Sequence, residues 1–314
     1  IGSRLDTSLT AFNEPHFGMS AKKIVVDIDQ HELDRMKLEQ VAAMQACDAG
    51  DYIRSLYHAV VADEKIREQS AEWRKWNAYG HELRVKYPSV TAEHRAKQGV
   101  VSAYYFTELL CKHTTKEDVI VPESSGAAGE ITYQAFSPKR GQKMKNAAGL
   151  GSMGFGLPYS IGACLANERR RTILINGDGA FQMNIQEFAT AMCQETNIII
   201  CVLNNYYLGM VRQIQQLFYG KRYEATCLKR RKACPPRCKG PGADCPPYEP
   251  DFVKLAESYG ASGKRIEKEE EILPALQWAR EQQTPVVLEF MIATEEIVLP
   301  MVKSGNPMSE MILK

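Results

Sequence analysis

The stretch NGDGAFQMNIQEFATAMCQETNIIICVLNNYYLGM, residues 176–210, decides the fold. Two apolar runs, TILI just before it and IIICVL inside it, each end in small or amide residues where a strand gives way to a loop. Runs of the same kind occur at 22–29, 118–124, 171–177, 197–205 and 284–292: short, β-branched and almost continuously apolar. Strands buried on both faces read this way, which points to a mostly parallel sheet. Helical patterns fall between and around them, at 30–47, 51–62, 102–113, 154–167, 184–195, 251–259 and 269–282. Alternation of this kind predicts an α/β fold, a doubly wound mostly parallel sheet with helices on both faces, over residues 99–295.

Working outward, residues 1–62 form part of a second α/β domain, and 63–98, charged and helical in parts, read as a linker. Residues 296–314 make a C-terminal tail, and 227–250 stand out as a Cys-rich insertion. The opening IGSR reads as the end of a strand, so the expectation is that something upstream is missing. The stripe Trp73, Trp76, Tyr79 and Leu83 is at helical spacing and is expected to pack rather than bind.

With 314 residues and 44% hydrophobic content, the chain can bury a large core. Thirty-nine basic against 38 acidic side chains leave a charge of +1, which draws the chain to neither nucleic acid nor an anionic membrane. No apolar run is long enough to span a bilayer, and the N-terminus lacks the basic-then-apolar layout of a signal peptide, so the cytoplasm is the expected compartment. Nine cysteines are odd in number, and five of them lie singly in apolar surroundings, unlike a secreted disulfide framework. The six histidines show no metal spacing.

In an open parallel sheet, ligands bind where strands deliver their carboxyl ends. Asp178 follows one strand end, and Asn204 with Asn205 follows another. Gly177 and Gly179 allow a tight turn close to a phosphate, and a helix from about Asn184 could aim its amino end the same way. An Asp carboxylate and an Asn amide oxygen, joined by phosphate oxygens, are the hard donors Mg²⁺ prefers. Either piece alone is more often a turn or a strand terminator. Together, with 24 residues between Gly179 and Asn204, they match the thiamine diphosphate motif. Upstream, Gly149, Gly151 and Gly154 satisfy G-x-G-x-x-G, but no strand precedes them and no acid ends a second strand at the required distance, so a dinucleotide site is a weak reading. A loop that sets backbone and Met153 against a cofactor ring fits better.

These motifs, with GSRLD and VVDID at the front, GLGSMGFGLPYSIGA in the middle and EEIVLPMVKSGNPMSEMI at the end, make the chain resemble the C-terminal half of the acetolactate synthase (acetohydroxyacid synthase) large catalytic subunit. The resemblance implies decarboxylation of pyruvate and its joining to a second 2-keto acid, with Asp178, Asn205 and the Tyr207 carbonyl holding Mg²⁺. It implies that Gly151, Ser152, Met153, Gly179 and Ala180 contact the diphosphate and thiazolium, and that Leu208, Gly209 and Met210 complete the pocket. A largely structural FAD would be held by Gly2, Arg4, Asp6, Asp27 and Asp29, with Gly50 and Asp51 also matching. The activating Glu of the family comes from an N-terminal domain of a neighbouring subunit, so no catalytic acid or base is assigned here and the chain alone is expected to be inactive. Homodimers or tetramers and a regulatory small subunit are the expected partners.

Three departures stand against this. Gly126 and Ala127 occupy the place of a Gln-His pair, which leaves Ser124 or Ser125 to replace its contacts with the diphosphate. Ile214 stands where plant and fungal enzymes carry a Trp, and Ser8 replaces an Arg that meets the substrate carboxylate. Another thiamine diphosphate-dependent 2-keto acid decarboxylase or carboligase, one subunit of a split enzyme, and a non-catalytic cofactor-binding homologue are the alternatives. In the insertion, Cys227, Cys234, Cys238 and Cys245 are spaced by six, three and six residues. That spacing is compatible with a structural zinc, an iron–sulfur cluster, two disulfides or surface thiols.

Overall fold

A strand buried on both faces must send alternate side chains into two different interiors, and the larger sheet of this protein does so. In the computed structural model, residues 1–7, 9–97, 99–124, 126–147, 149–229, 232, 234, 235, 238, 245 and 250–313 are described. The chain divides into two units, Ser89–Val298 and a smaller one made of Ile1–Pro88 with Leu299–Lys314.

The smaller unit holds two parallel strands, β1 (Lys23–Asp27) and β2 (Val41–Ala46), with helix α1 (Gln30–Arg35) between them. Helices α2 (Ala49–Ala62), α3 (Glu64–Glu68) and α4 (Ser70–Lys86) follow. Asp29 caps α1 by accepting from the His31 N–H, and Asp48 caps α2 through the N–H groups of Gly50 and Asp51. The helix expected over 30–47 is therefore wrong in its second half. Met36 turns extended at ψ 132° and ends α1, after which VAAMQA pairs with β1 as a strand. A short apolar run of that kind fits either state, and the ladder partner decides it. The aromatic stripe on α4 also departs from expectation: Trp73, Trp76, Tyr79 and Leu83 are all exposed, Trp76 by 72%.

The larger unit opens with α5 (Ala92–Arg95) and α6 (Ala103–His113) and builds a five-stranded sheet. Its strands are β3 (Val119–Pro122), β4 (Thr172–Gly177), β5 (Ile198–Asn204), β6 (Ser262–Ile266) and β7 (Val286–Met291). They lie in the order β3-β4-β5-β7-β6, and every pair is parallel. Helices α7 (Gly126–Ala135), α8 (Gly156–Ala166), α9 (Asp178–Phe181), α10 (Glu187–Cys193), α11 (Gly209–Phe218), α12 (Phe252–Ser258) and α13 (Ile272–Glu281) connect and cover it. The fold is thus the α/β sheet with helices on both faces that the sequence predicts.

On one face Ile120, Ile173, Ile199, Cys201, Leu288 and Phe290 pack against α6, α7 and α13. On the other Val119, Val121, Leu174, Ile200, Val202 and Val287 pack against α8, α10 and α12. The alternation of neighbours between the two sets is the period-two geometry of a strand. The crossing between β4 and β5 is not the single helix expected over 184–195. Helix starts at Asp178 itself, passes through a 3₁₀ turn at Gln182–Asn184, and resumes as α10. Asn184 is spent on the loop before α8, donating to the Gly154 carbonyl at 2.8 Å. Gly154 has φ +85° and a Cβ there would stand 2.7 Å from that of Met183, so only glycine lets the two segments meet.

Phe290 is fully buried, with its ring centroid 4.4 Å from that of Phe106. Phe290→Ala is expected to lower unfolding free energy by about 3–5 kcal/mol, read from the shift in urea midpoint at unchanged slope.

Candidate functional site

The register of β4 on β5 places Gly177 opposite Leu203, so Asp178 and Asn204 leave the sheet at the same level. The two asparagines then divide the work. Asn204 donates from Nδ2 to Oε1 of the fully buried Glu289 on β7 at 2.7 Å, and accepts from the Tyr206 N–H at 2.9 Å. Glu289 in turn accepts from Arg265 on β6 at 2.9 Å, and Arg265 reaches Asp251 at 3.4 Å. Burial pushes the Glu289 carboxyl up, with Asn204 and Arg265 working against it. Asn204 thus pins the strand end, and Asn205 is the one that faces a cavity; its Oδ1 accepts from the Tyr207 N–H at 2.9 Å.

That cavity measures about 270 Å³. Gly151, Met153, Asp178, Gly179, Ala180, Asn205, Tyr207, Leu208, Gly209 and Met210, from three separate segments, line it together. A Cβ on Gly179 would stand 2.8 Å from Leu208 and 3.4 Å from Met153, which measures how tightly the three converge. Two expected residues do not line it. Ser124 is buried, and its hydroxyl donates to the Ser152 carbonyl, so this pair ties the end of β3 to the glycine-rich loop. Ser125 and Ser8 lie outside the described residues.

Asp178 is the electrostatic centre. Its Oδ1 accepts from the Gly179 N–H at 2.8 Å, while Oδ2 is buried without a hydrogen-bond partner among the described residues. Burial pushes its carboxyl up to about 7, and the backbone amides of Gly179, Tyr206 and Asn205 only partly offset that. An orphaned buried carboxylate oxygen and an Asn amide on the wall of one cavity are hard donors that suit a divalent cation, so Mg²⁺ fits the residues present. Among the described residues, no group of three or more His, Cys, Asp or Glu side chains is arranged to hold a metal ion. A cation here would therefore rest on few protein ligands and on oxygens of the molecule bound with it.

Several residues escape sequence reasoning. Glu123, at the end of β3, accepts from the Gly156 N–H at 3.1 Å and so holds the start of α8. Burial raises its pKa. Arg212 is buried between the rings of Tyr207 and Tyr223, 4.3 Å and 3.8 Å from their centroids, and pairs with Glu295. Leu203 and Ile292 line the cavity, and the Ile292 N–H donates to the Asn204 carbonyl at 3.0 Å. The strand-end rule that found Asp178 could have found Ile292. Gly126, at the place where the resemblance expects a Gln-His pair, also lines the cavity and offers no side chain.

In the smaller unit the flavin candidates sit around the carboxyl end of β1. Asp27 accepts from the Asp29 N–H at 3.0 Å, Asp29 from His31 at 2.9 Å, and Asp6 from Leu9 at 3.0 Å. Arg4 pairs with Glu32 at 3.1 Å, and the Gly2 N–H donates to Val26 at 2.8 Å. Each acid is engaged through one oxygen in these bonds. No helix among the described residues is long and apolar enough to cross a membrane.

The profile of the thiamine pyrophosphate enzymes' C-terminal TPP binding domain matches residues 125–290. The acetolactate synthase large subunit of Corynebacterium glutamicum is 32% identical over 99% of this chain and 46% of its own length. The chloroplastic acetolactate synthase 1 of Zea mays is 29% identical over the whole chain and 46% of its own length. The chain spans about half the length of the curated relatives it matches. Among solved structures, the Rhodococcus jostii thiamine diphosphate-dependent 4-hydroxybenzoylformate decarboxylase superposes with a TM-score of 0.65 at 20% identity, covering 88% of this chain and 45% of that one. The benzoylformate decarboxylase of Polynucleobacter necessarius gives a TM-score of 0.55 at 22% identity, covering 68% and 36%.

Two outcomes follow from the geometry. Without added metal, burial keeps Asp178 protonated in the folded chain up to about pH 7, whereas the unfolded chain releases that proton near 3.8. The folded state therefore binds more protons across this window, and metal-free protein loses stability as pH rises through it. Thermal melts at about pH 5 and about pH 8 should show that loss, Asp178→Asn should flatten it, and Mg²⁺ should bind more tightly as the carboxylate forms. The asparagines should separate: Asn204→Ala costs about 1–3 kcal/mol of stability by stranding Glu289, while Asn205→Ala weakens cation binding by about 10-fold or more in calorimetric titration.

Proposed function

The chain belongs to the thiamine pyrophosphate enzymes through their C-terminal TPP-binding domain, and from that premise we propose that it carries the cofactor site of an acetolactate synthase. The observation that carries this reading is the orphaned Asp178 oxygen beside Asn205, in a cavity at the carboxyl ends of two parallel strands. The likeness to acetolactate synthases over nearly the whole chain supports it. When bound, thiamine diphosphate supplies the electron sink that lets a 2-keto acid lose carbon dioxide.

This chain's own residues bind and orient. Asp178, Asn205 and the Tyr207 carbonyl would hold Mg²⁺, and Gly151 and Gly179 would leave backbone open to the diphosphate. Met153 and Leu208, both on the cavity wall, would steady the ring. Met210, Leu203 and Ile292 keep water from the apolar end of the cavity. By the resemblance to the acetolactate synthases, of whose length this chain spans about half, the activating acid comes from outside these 314 residues. Pyruvate is the donor in this reading, and 2-acetolactate or 2-aceto-2-hydroxybutyrate the product. FAD in the smaller unit on Gly2, Arg4, Asp6, Asp27 and Asp29, a dimeric or tetrameric assembly, a regulatory small subunit and a cytoplasmic setting complete it.

A second reading, another 2-keto acid decarboxylase or carboligase of the same family, is favoured by Gly126, which lines the cavity without a side chain where a Gln-His pair is expected. The test is to titrate thiamine diphosphate and Mg²⁺ into the chain and assay acetolactate from pyruvate, with and without the N-terminal half of a relative. Cofactor should bind in both cases, and acetolactate should form only with that half present. Carbon dioxide release without acetolactate would favour the second reading. Asp178→Ala binding the cofactor as tightly as the original chain would remove both.

A further inference from the structure

Between α11 and α12 the chain carries Cys227, Cys234, Cys238 and Cys245, and the function proposed above uses none of them. All four line one cavity, with Tyr207, Tyr223 and Lys229 also on its wall. The cavity is about 20 Å³, room for a single water-sized occupant. None of the four is in a disulfide. Among the described residues the wall has no carboxylate or imidazole, and its four thiols are soft donors that select zinc over magnesium. The residues between these cysteines are mostly Lys, Arg, Pro and Gly, too polar to gather the thiols by burying a core.

The place where this loop attaches gives it a role. Cys227 pairs with Tyr207 in an antiparallel bridge. On either side, the Leu208 N–H donates to Thr226 at 2.9 Å and the Leu228 N–H to Tyr206 at 2.8 Å. Tyr207 and Leu208 line the cofactor cavity on their other side. Burial pushes the Tyr207 hydroxyl up, and Tyr207 shares the wall of the cysteine cavity with Cys227.

We propose that Cys227, Cys234, Cys238 and Cys245 bind one structural Zn²⁺ as thiolates, and that the ion clamps the Tyr206–Leu208 wall of the cofactor cavity through the ladder at Cys227. The thiols lose their protons to solvent as the zinc–sulfur bonds form, with no change of oxidation state. Among the described residues the four do not yet stand as a ligand set, and a site of this kind forms together with its metal. The zinc site rests on the one cavity that all four cysteines line; the clamp rests also on the cofactor reading.

The test is a metal count on chain made in zinc-supplemented medium and purified under reducing conditions without chelator. One zinc per chain is expected in the original and in Cys193→Ser, an exposed thiol elsewhere, and close to none in Cys234→Ser or Cys238→Ser. Cobalt exchanged into the original chain should show the absorption of tetrahedral thiolate coordination, a readout that does not depend on whether the variants fold. A metal count near zero, two mapped disulfides, or undiminished zinc in Cys238→Ser overturns the site. Stripping the zinc should weaken thiamine diphosphate binding by about 10-fold; unchanged affinity overturns the clamp. A zinc-loaded chain that binds no thiamine diphosphate overturns the clamp together with the cofactor reading, while the metal count stands by itself.

Discussion

The register between β4 and β5 is the constraint from which the site follows. With Gly177 opposite Leu203, an acid and an amide separated by a whole crossover emerge side by side. A slip of one residue would exchange every side chain between the two faces of the sheet, and both faces are buried. The core therefore fixes the site: the apolar residues that cannot tolerate a slip are the ones that hold Asp178 level with the Asn204–Asn205 pair.

Around that register the polar groups are unevenly served. Asn204, Glu289, Arg265 and Asp251 form a connected network reaching from the end of β5 across β7 to β6. Glu123 is likewise bonded to two backbone amides. Asp178 alone among these buried acids keeps one oxygen unserved. A buried carboxyl left this way costs stability unless it takes up a proton or meets a cation. The β4–β5 register holds it at that place, so the deficit stands as a demand for a ligand.

Much of this was legible in the sequence because burial on both faces writes itself as unbroken β-branched runs, as in TILI and IIICVL. What was not legible had other physical causes. β6 is a half-exposed edge strand of sequence SGKRI, with no apolar run to announce it. β2 follows a true helix so closely that one period ran into the next. α7 begins in Gly-Ala-Ala-Gly, a poor helix signature, although α11 carries Met210, Ile214 and Leu217 at helical spacing and could have been read. At the site, Asp178 and Asn205 were found because strand ends follow a rule. Glu289 was missed because its nearness to Asn204 depends on β7 lying beside β5, an order of strands that no local pattern encodes.

The sheet also separates the larger unit into two interiors that share no side chains, and only one of them opens onto the cavity. Ala128, Leu203 and Ile292 belong both to the interior beneath α6, α7 and α13 and to the cavity wall. The interior beneath α8, α10 and α12 contributes none of its buried members to that wall. Changes on opposite sides of the backbone layer should combine additively. The protein therefore has a tuning side, where repacking reshapes what the pocket accepts, and a ballast side, where an engineer can seek heat tolerance and leave substrate preference alone.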